Sequence, residues 1–199
     1  MTDKRVERPD RPRIAPIGSP SAEALRALQA LGAIRADAPT LNIFATLARN
    51  PPLLDQFGRF ATYLLKEGVL PGRERELVIL RVGWRLGSEY EFGQHTIEGR
   101  REGLTDPEIS AVAKDGTQPD RWSADDRALL TMADELCLHD GVSDDTWGAL
   151  SRRWSEAELL ELVVLAGAYR MVCGLLTAVG IQLDEGIPGW PQPVEPPAR

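Results

Sequence analysis

Apolar residues recur three and four positions apart along most of this chain, the spacing that gathers side chains on one face of a helix. After Asn50-Pro51-Pro52, an N-cap followed by proline in the first turn, come Leu53, Leu54, Phe57, Phe60, Ala61, Leu64 and Leu65, and Gly68 closes the segment. Thr105-Asp-Pro-Glu108 and Ser155-Glu-Ala-Glu158 have the capping-box pattern, and Ser123-Ala-Asp-Asp126 is a weaker form of it. A helix ending near Gly87 is followed by a second helix capped by Ser88. Leu159 to Ile181 is long and apolar but contains Glu161, Arg170 and three glycines, which predicts a buried central helix rather than a membrane span. No pair of alternating segments flanks a tight Asn-Gly or Asp-Gly turn, so the pattern predicts an all-α fold.

Residues 76–88 and 161–173 align without a gap, with five of thirteen positions identical, among them Glu76 with Glu161 and Arg85 with Arg170. An internal helical repeat is expected, with Cys173 at the register of Ser88. In that register His95 falls opposite Gly180, so chemistry belongs to the first copy.

Composition sets the limits. The 199 residues suit one helical domain over 21–185, between a Pro/Arg-rich arm over 1–20 and a Pro-rich tail over 186–199. A net charge of −7 argues against a nucleic-acid partner. The charged N-terminus leads into no apolar core, so a cytoplasmic protein without a membrane partner is expected. Phosphate-binding loops, dinucleotide fingerprints and nucleophile elbows are missing from the sequence. Two histidines, His95 and His139, are too few and too far apart for a His-rich metal site. His139 reads as a cation at a helix C-terminus, and Cys137 and Cys173 as buried structural thiols.

The chemistry left over lies between Arg73 and His95. Glu91 and His95 are i, i+4 neighbours with Ser88 a turn earlier, and Glu76 lies about three turns before the bend. An exposed ion pair on a solvated helix face would show the same spacing, and Arg81 and Arg85 would equally serve salt bridges.

From Leu41 to Leu183 the chain resembles the carboxymuconolactone decarboxylase family, which includes the alkylhydroperoxidase-D-like proteins. The Pro-Pro-Leu-Leu helix, the Glu76 helix and Tyr90-Glu-Phe-x-x-His95-x-x-x-Gly99 carry the likeness. The resemblance implies an all-helical fold assembled as a trimer or hexamer. It also implies a glutamate at Glu76, a histidine at His95, and in the redox branch a Cys-x-x-Cys whose two positions here are Ser88 and Glu91. Both sulfurs are therefore missing, and dithiol exchange needs two.

Decarboxylation needs no thiol, metal or organic cofactor when the substrate carbonyl is the electron sink. On that reading the substrate is a small carboxylated lactone or organic acid, and His95 is the proton donor. Glu76 or Glu91 would hold its tautomer, and Tyr90 would donate to the developing anion. Arg81 or Arg85 would hold the carboxylate, with Ser88 beside them. The alternative is a non-catalytic oligomer that binds a ligand or protein. A thiol-dependent peroxidase is the least supported reading.

Overall fold

A computed structural model describes residues 8–34, 39–114 and 121–191. Its regular elements are helices: α1 (Ala22–Ala30), α2 (Asn42–Leu47), α3 (Pro51–Thr62), α4 (Gly72–Arg85), α5 (Glu89–Arg101), α6 (Asp106–Val112), α7 (Ala124–His139), α8 (Asp144–Leu150) and α9 (Glu156–Val179). The fold is all-α, as the periodicity predicts, with no strand among the described residues.

Local chemistry accounts for the helix ends. The Asn50 side chain accepts the Leu53 amide, and a single π-helical turn, Tyr63–Glu67, continues α3 to Gly68. Thr105 and Glu108 close a full capping box, and Ser155 and Glu158 exchange the same pair of bonds. Ser123 accepts the Asp126 amide, but the Asp126 carboxylate turns away to Arg73 at 2.8 Å. His139 lies in the last turn of α7, before Asp140 in the left-handed conformation.

The chain divides into two compact units. Among the described residues, the first holds those of 69–175 together with 187–191. Its centre is α4, which packs on α5, α6 and α7 and is buried from Arg75 to Trp84. Gly87, at φ 65°, makes the exit from α4: its amide bonds the Trp84 carbonyl while the Ser88 amide reaches back to Gly83. This paired closure needs a left-handed residue that glycine adopts without steric penalty. At Gly83 a Cβ would come within 3.4 Å of the Phe92 nitrogen, so the bare α-carbon lets α5 approach closely. Residues from Ile187 rejoin this unit, where Trp190 packs edge-on against Trp84 and tilted against Phe92, at 5.2 Å each.

The second unit holds α1 to α3 and residues 176–186. Residues 8–20 form no helix, yet the Arg13 amide bonds the Val179 carbonyl and the Ile17 amide bonds that of Ala45. The rest of the arm (1–7) and of the tail (192–199) lies outside the described residues.

Two expectations need correction. Cys137 is only partly buried, unlike Cys173. And α9 is not buried all round. Its length and apolarity would suffice to cross a membrane, but its buried Glu161 accepts the Val69 and Leu70 amides, a core role. On its other side Leu160, Val164, Gly167, Met171 and Gly174 form an exposed seven-residue-periodic stripe, with Leu160 68% and Met171 53% exposed. Hydropathy averaged along a helix does not separate its two faces, which is why the sequence alone read α9 as buried.

The first unit also rests on a buried charge cluster. Arg81, 1% exposed, sends Nε and Nη2 to the two oxygens of Asp134 and Nη1 to the carbonyls of Val112 and Lys114. Arg85 binds the same carboxylate. Removing one partner strands the other in the core, so Asp134→Ala should lower the unfolding free energy by about 3 kcal/mol. Urea denaturation of wild type and variant measures it.

Candidate active site

Glu76 stands on the second turn of α4 with no exposed side-chain surface. A buried carboxylate is unfavourable unless it is paired and hydrogen-bonded. Both of its oxygens are taken: Oε1 accepts from Arg75 Nε at 3.0 Å, and Oε2 lies 2.6 Å from His95 Nδ1. The other ring nitrogen, Nε2, is 3.0 Å from Glu91 Oε1, one turn earlier on α5. Arg75, Glu76, His95 and Glu91 therefore make a chain of alternating sign. His95 is its middle link, with both nitrogens engaged.

Burial alone would lower the His95 pKa; the adjacent carboxylates, first Glu76 and then Glu91, reverse this and push it up to about 10. Burial would likewise raise Glu76, but His95 and then Arg75 hold it below its usual value. The pair is an imidazolium–carboxylate pair at neutral pH.

The residues singled out from the sequence separate in the fold. Glu76, Glu91 and His95 come together. Ser88 occupies the N-cap position of α5 but makes no capping bond, and its hydroxyl meets the Cys173 thiol. Tyr90 is buried on α5 at 2% exposure. Arg81 and Arg85 are committed to Asp134, a destination that depends on how α7 packs and that spacing along α4 does not reveal.

Sequence reasoning missed Tyr169. Its ring stands perpendicular to that of His95, centroids 4.9 Å apart, and one turn on from it Cys173 reaches Ser88. The repeat held the one available signal, since it aligns Cys173 with Ser88. Burial, then the charges of Glu91 and Glu76, push the Tyr169 phenol well above its usual range. Burial, then Glu91, does the same to the Cys173 thiol, and burial pushes Cys137 up to about 11. Neither sulfur is an activated thiolate. Among the described residues no group of three or more His, Cys, Asp or Glu side chains is placed to hold a metal ion.

The arrangement can hold and relay a proton. Residues 51–135 match the model of the carboxymuconolactone decarboxylase family. No curated protein sequence matches the chain. Among solved structures it is similar to a peroxidase-related protein with an alkylhydroperoxidase AhpD core from Ralstonia eutropha JMP134 (TM-score 0.71, 18% identity, covering 86% of this chain and 93% of that one). It is also similar to a peroxidase-related protein from Silicibacter sp. TM1040 (0.71, 15%, 94% and 96%). A third is the debrominase Bmp8 bound to 2,3,4-tribromopyrrole (0.64, 16%, 92% and 94%). At these identities the likeness establishes the AhpD-like fold.

The His95 pair makes stability depend on pH with a definite sign. An unfolded histidine titrates near 6.5 and the folded one near 10, so the contribution is complete below pH 6.5 and is lost as pH rises through 10. Stability should fall by up to about 1.4 kcal/mol per pH unit across that window. Glu76 works in the opposite sense, its contribution vanishing as pH falls below the usual carboxylate range. NMR titration should show His95 protonated through pH 8 in wild type, and Glu76→Gln should bring its pKa down. An unshifted pKa in a folded variant would contradict the pairing.

Proposed function

From a chain whose residues 51–135 belong to the carboxymuconolactone decarboxylase family, we propose that the buried Glu76–His95–Glu91 array is the proton-transfer centre of a cofactor-free enzyme on a small organic molecule. Within that class, a carboxy-lyase acting on a carboxylated lactone or small organic acid is the family-guided choice. One observation carries the reading. Where the redox branch has its two sulfurs, this chain puts a hydroxyl and a carboxylate, and the carboxylate is wired directly to the histidine at 3.0 Å.

The array is a relay with one end closed. Arg75 and His95 occupy Glu76, and Glu76 and Glu91 occupy His95. With both ring nitrogens engaged, the expectation of His95 as the direct donor becomes one of His95 as the cation that holds Glu91, with Glu91 as the group facing substrate. With its pKa pushed up to about 10, the imidazolium keeps its proton at neutral pH and offsets the negative charge of the carboxylates beside it. A peroxidase role draws no support from this site, since both remaining thiols are held protonated.

The competing reading, a non-catalytic oligomer, is favoured by the exposed α9 stripe. Apolar area at seven-residue spacing is what a second helix covers, and we propose that the protein self-associates, with a trimer or dimer of trimers the family-guided state. Sedimentation at micromolar concentration should show an oligomer, and Leu160→Glu with Met171→Glu should weaken it. A 21.9 kDa species for wild type would refute assembly.

Activity separates the readings. Carbon dioxide release from carboxymuconolactone, followed with wild type, should fall about 10²-fold or more in His95→Ala. Glu76→Gln should lose less, and the double variant should be non-additive because the two act as one unit. Unchanged handling of substrate in a folded His95→Ala protein would leave only the non-catalytic reading.

A further inference from the structure

The charges around this site restrict what it can accept. Each arginine near it is already bound to a protein carboxylate: Arg75 to Glu76 and Glu102, Arg81 and Arg85 to Asp134, Arg170 to Asp140. The sequence-level expectation that Arg81 or Arg85 holds a substrate carboxylate therefore lacks a cation to act through. The alternating chain from Arg75 also ends in an anion, Glu91. A substrate carboxylate brought beside Glu91 meets like charge in a poorly screened interior.

Two groups at the end of the array are not consumed by the fold. Glu91 has His95 as its hydrogen-bonding partner among the described residues, through Oε1, whereas Glu76 has both oxygens engaged. Tyr169, 6% exposed, packs its ring on His95, and no hydrogen bond is made by its hydroxyl to the described residues. A carboxylate with a spare oxygen and the ring of a phenol thus both contact one imidazole. A base beside a neutral oxygen-bound donor is the pairing that enolisation requires.

We infer that this site takes an uncharged, enolisable carbonyl compound, a ketone or lactone, with Glu91 as base at the carbon beside the carbonyl and Tyr169 as hydrogen-bond donor to the carbonyl oxygen. This rests on the proton-transfer reading above and replaces its charged substrate with a neutral one. Glu91 takes the proton from carbon, the C–H electron pair becomes the enolate double bond, and the carbonyl π pair moves to oxygen, where the Tyr169 O–H stabilises it. The protonated Glu91 then returns the proton to the same carbon, or to the far end of a conjugated system. The step consumes nothing and leaves the enzyme unchanged. Glu76 acts through His95 and is a positioning residue.

Hydrogen–deuterium exchange tests this without the natural substrate. The full chain is incubated in D2O with α-angelica lactone or 3-cyclohexenone, and loss of the α-proton signal is followed by NMR, with carbon dioxide release from carboxymuconolactone measured in parallel. Exchange above the buffer rate is expected, reduced about 10²-fold or more by Glu91→Gln and about 10-fold or more by Tyr169→Phe. Exchange without carbon dioxide release supports the neutral-substrate inference and removes the carboxy-lyase assignment. Carbon dioxide release without exchange overturns the inference and leaves proton transfer standing. Neither signal from folded wild type overturns both, and exchange undiminished in folded Tyr169→Phe overturns the role of Tyr169.

Discussion

A carboxylate with no exposed surface, Glu76, sets the terms for the first unit. Its charge survives in the core only because Arg75 and His95 engage its two oxygens. Arg75 is its chain neighbour, but His95 lies beyond the bend, so α4 and α5 must run back along each other at a fixed separation. The left-handed Gly87 and the bare Gly83 permit that approach. Packing and chemistry are one constraint here: the side chains that hold two helices together are those that store a proton.

Much of this was legible in sequence, because it depends on neighbours. The Glu91–His95 contact follows from i, i+4 spacing, and the boxes at Thr105 and Ser155 follow from four-residue patterns. The AhpD-like fold was legible through the register of Glu76, Tyr90-Glu-Phe and His95. The rest depends on tertiary arrangement. The distance from Glu76 to His95 was undetermined until the bend was known, and Tyr169 comes from a helix far along the chain. Asp134, on α7, claims both arginines that α4 spacing alone left free for substrate.

Ser88 and Glu91 show how local patterns yield to a site. Ser88-Glu-Tyr-Glu91 has the same form as the two boxes that close elsewhere in this chain, yet it makes no box. Its serine turns to Cys173 and its glutamate to His95. A forgone cap is typically worth about 1 kcal/mol. Local rules set aside in this way tend to mark functional positions.

Because the α4–α5 turn is closed by backbone bonds from Gly87 and Ser88, the side chains at 88 and 91 do not hold the corner in place. They are exchangeable fittings on a fixed mount. The bonds that fasten the corner, Gly87 to Trp84 and Ser88 to Gly83, use main-chain atoms that every residue type except proline supplies. A substitution at either position therefore changes the chemistry offered beside His95 while leaving the corner's own fastening untouched.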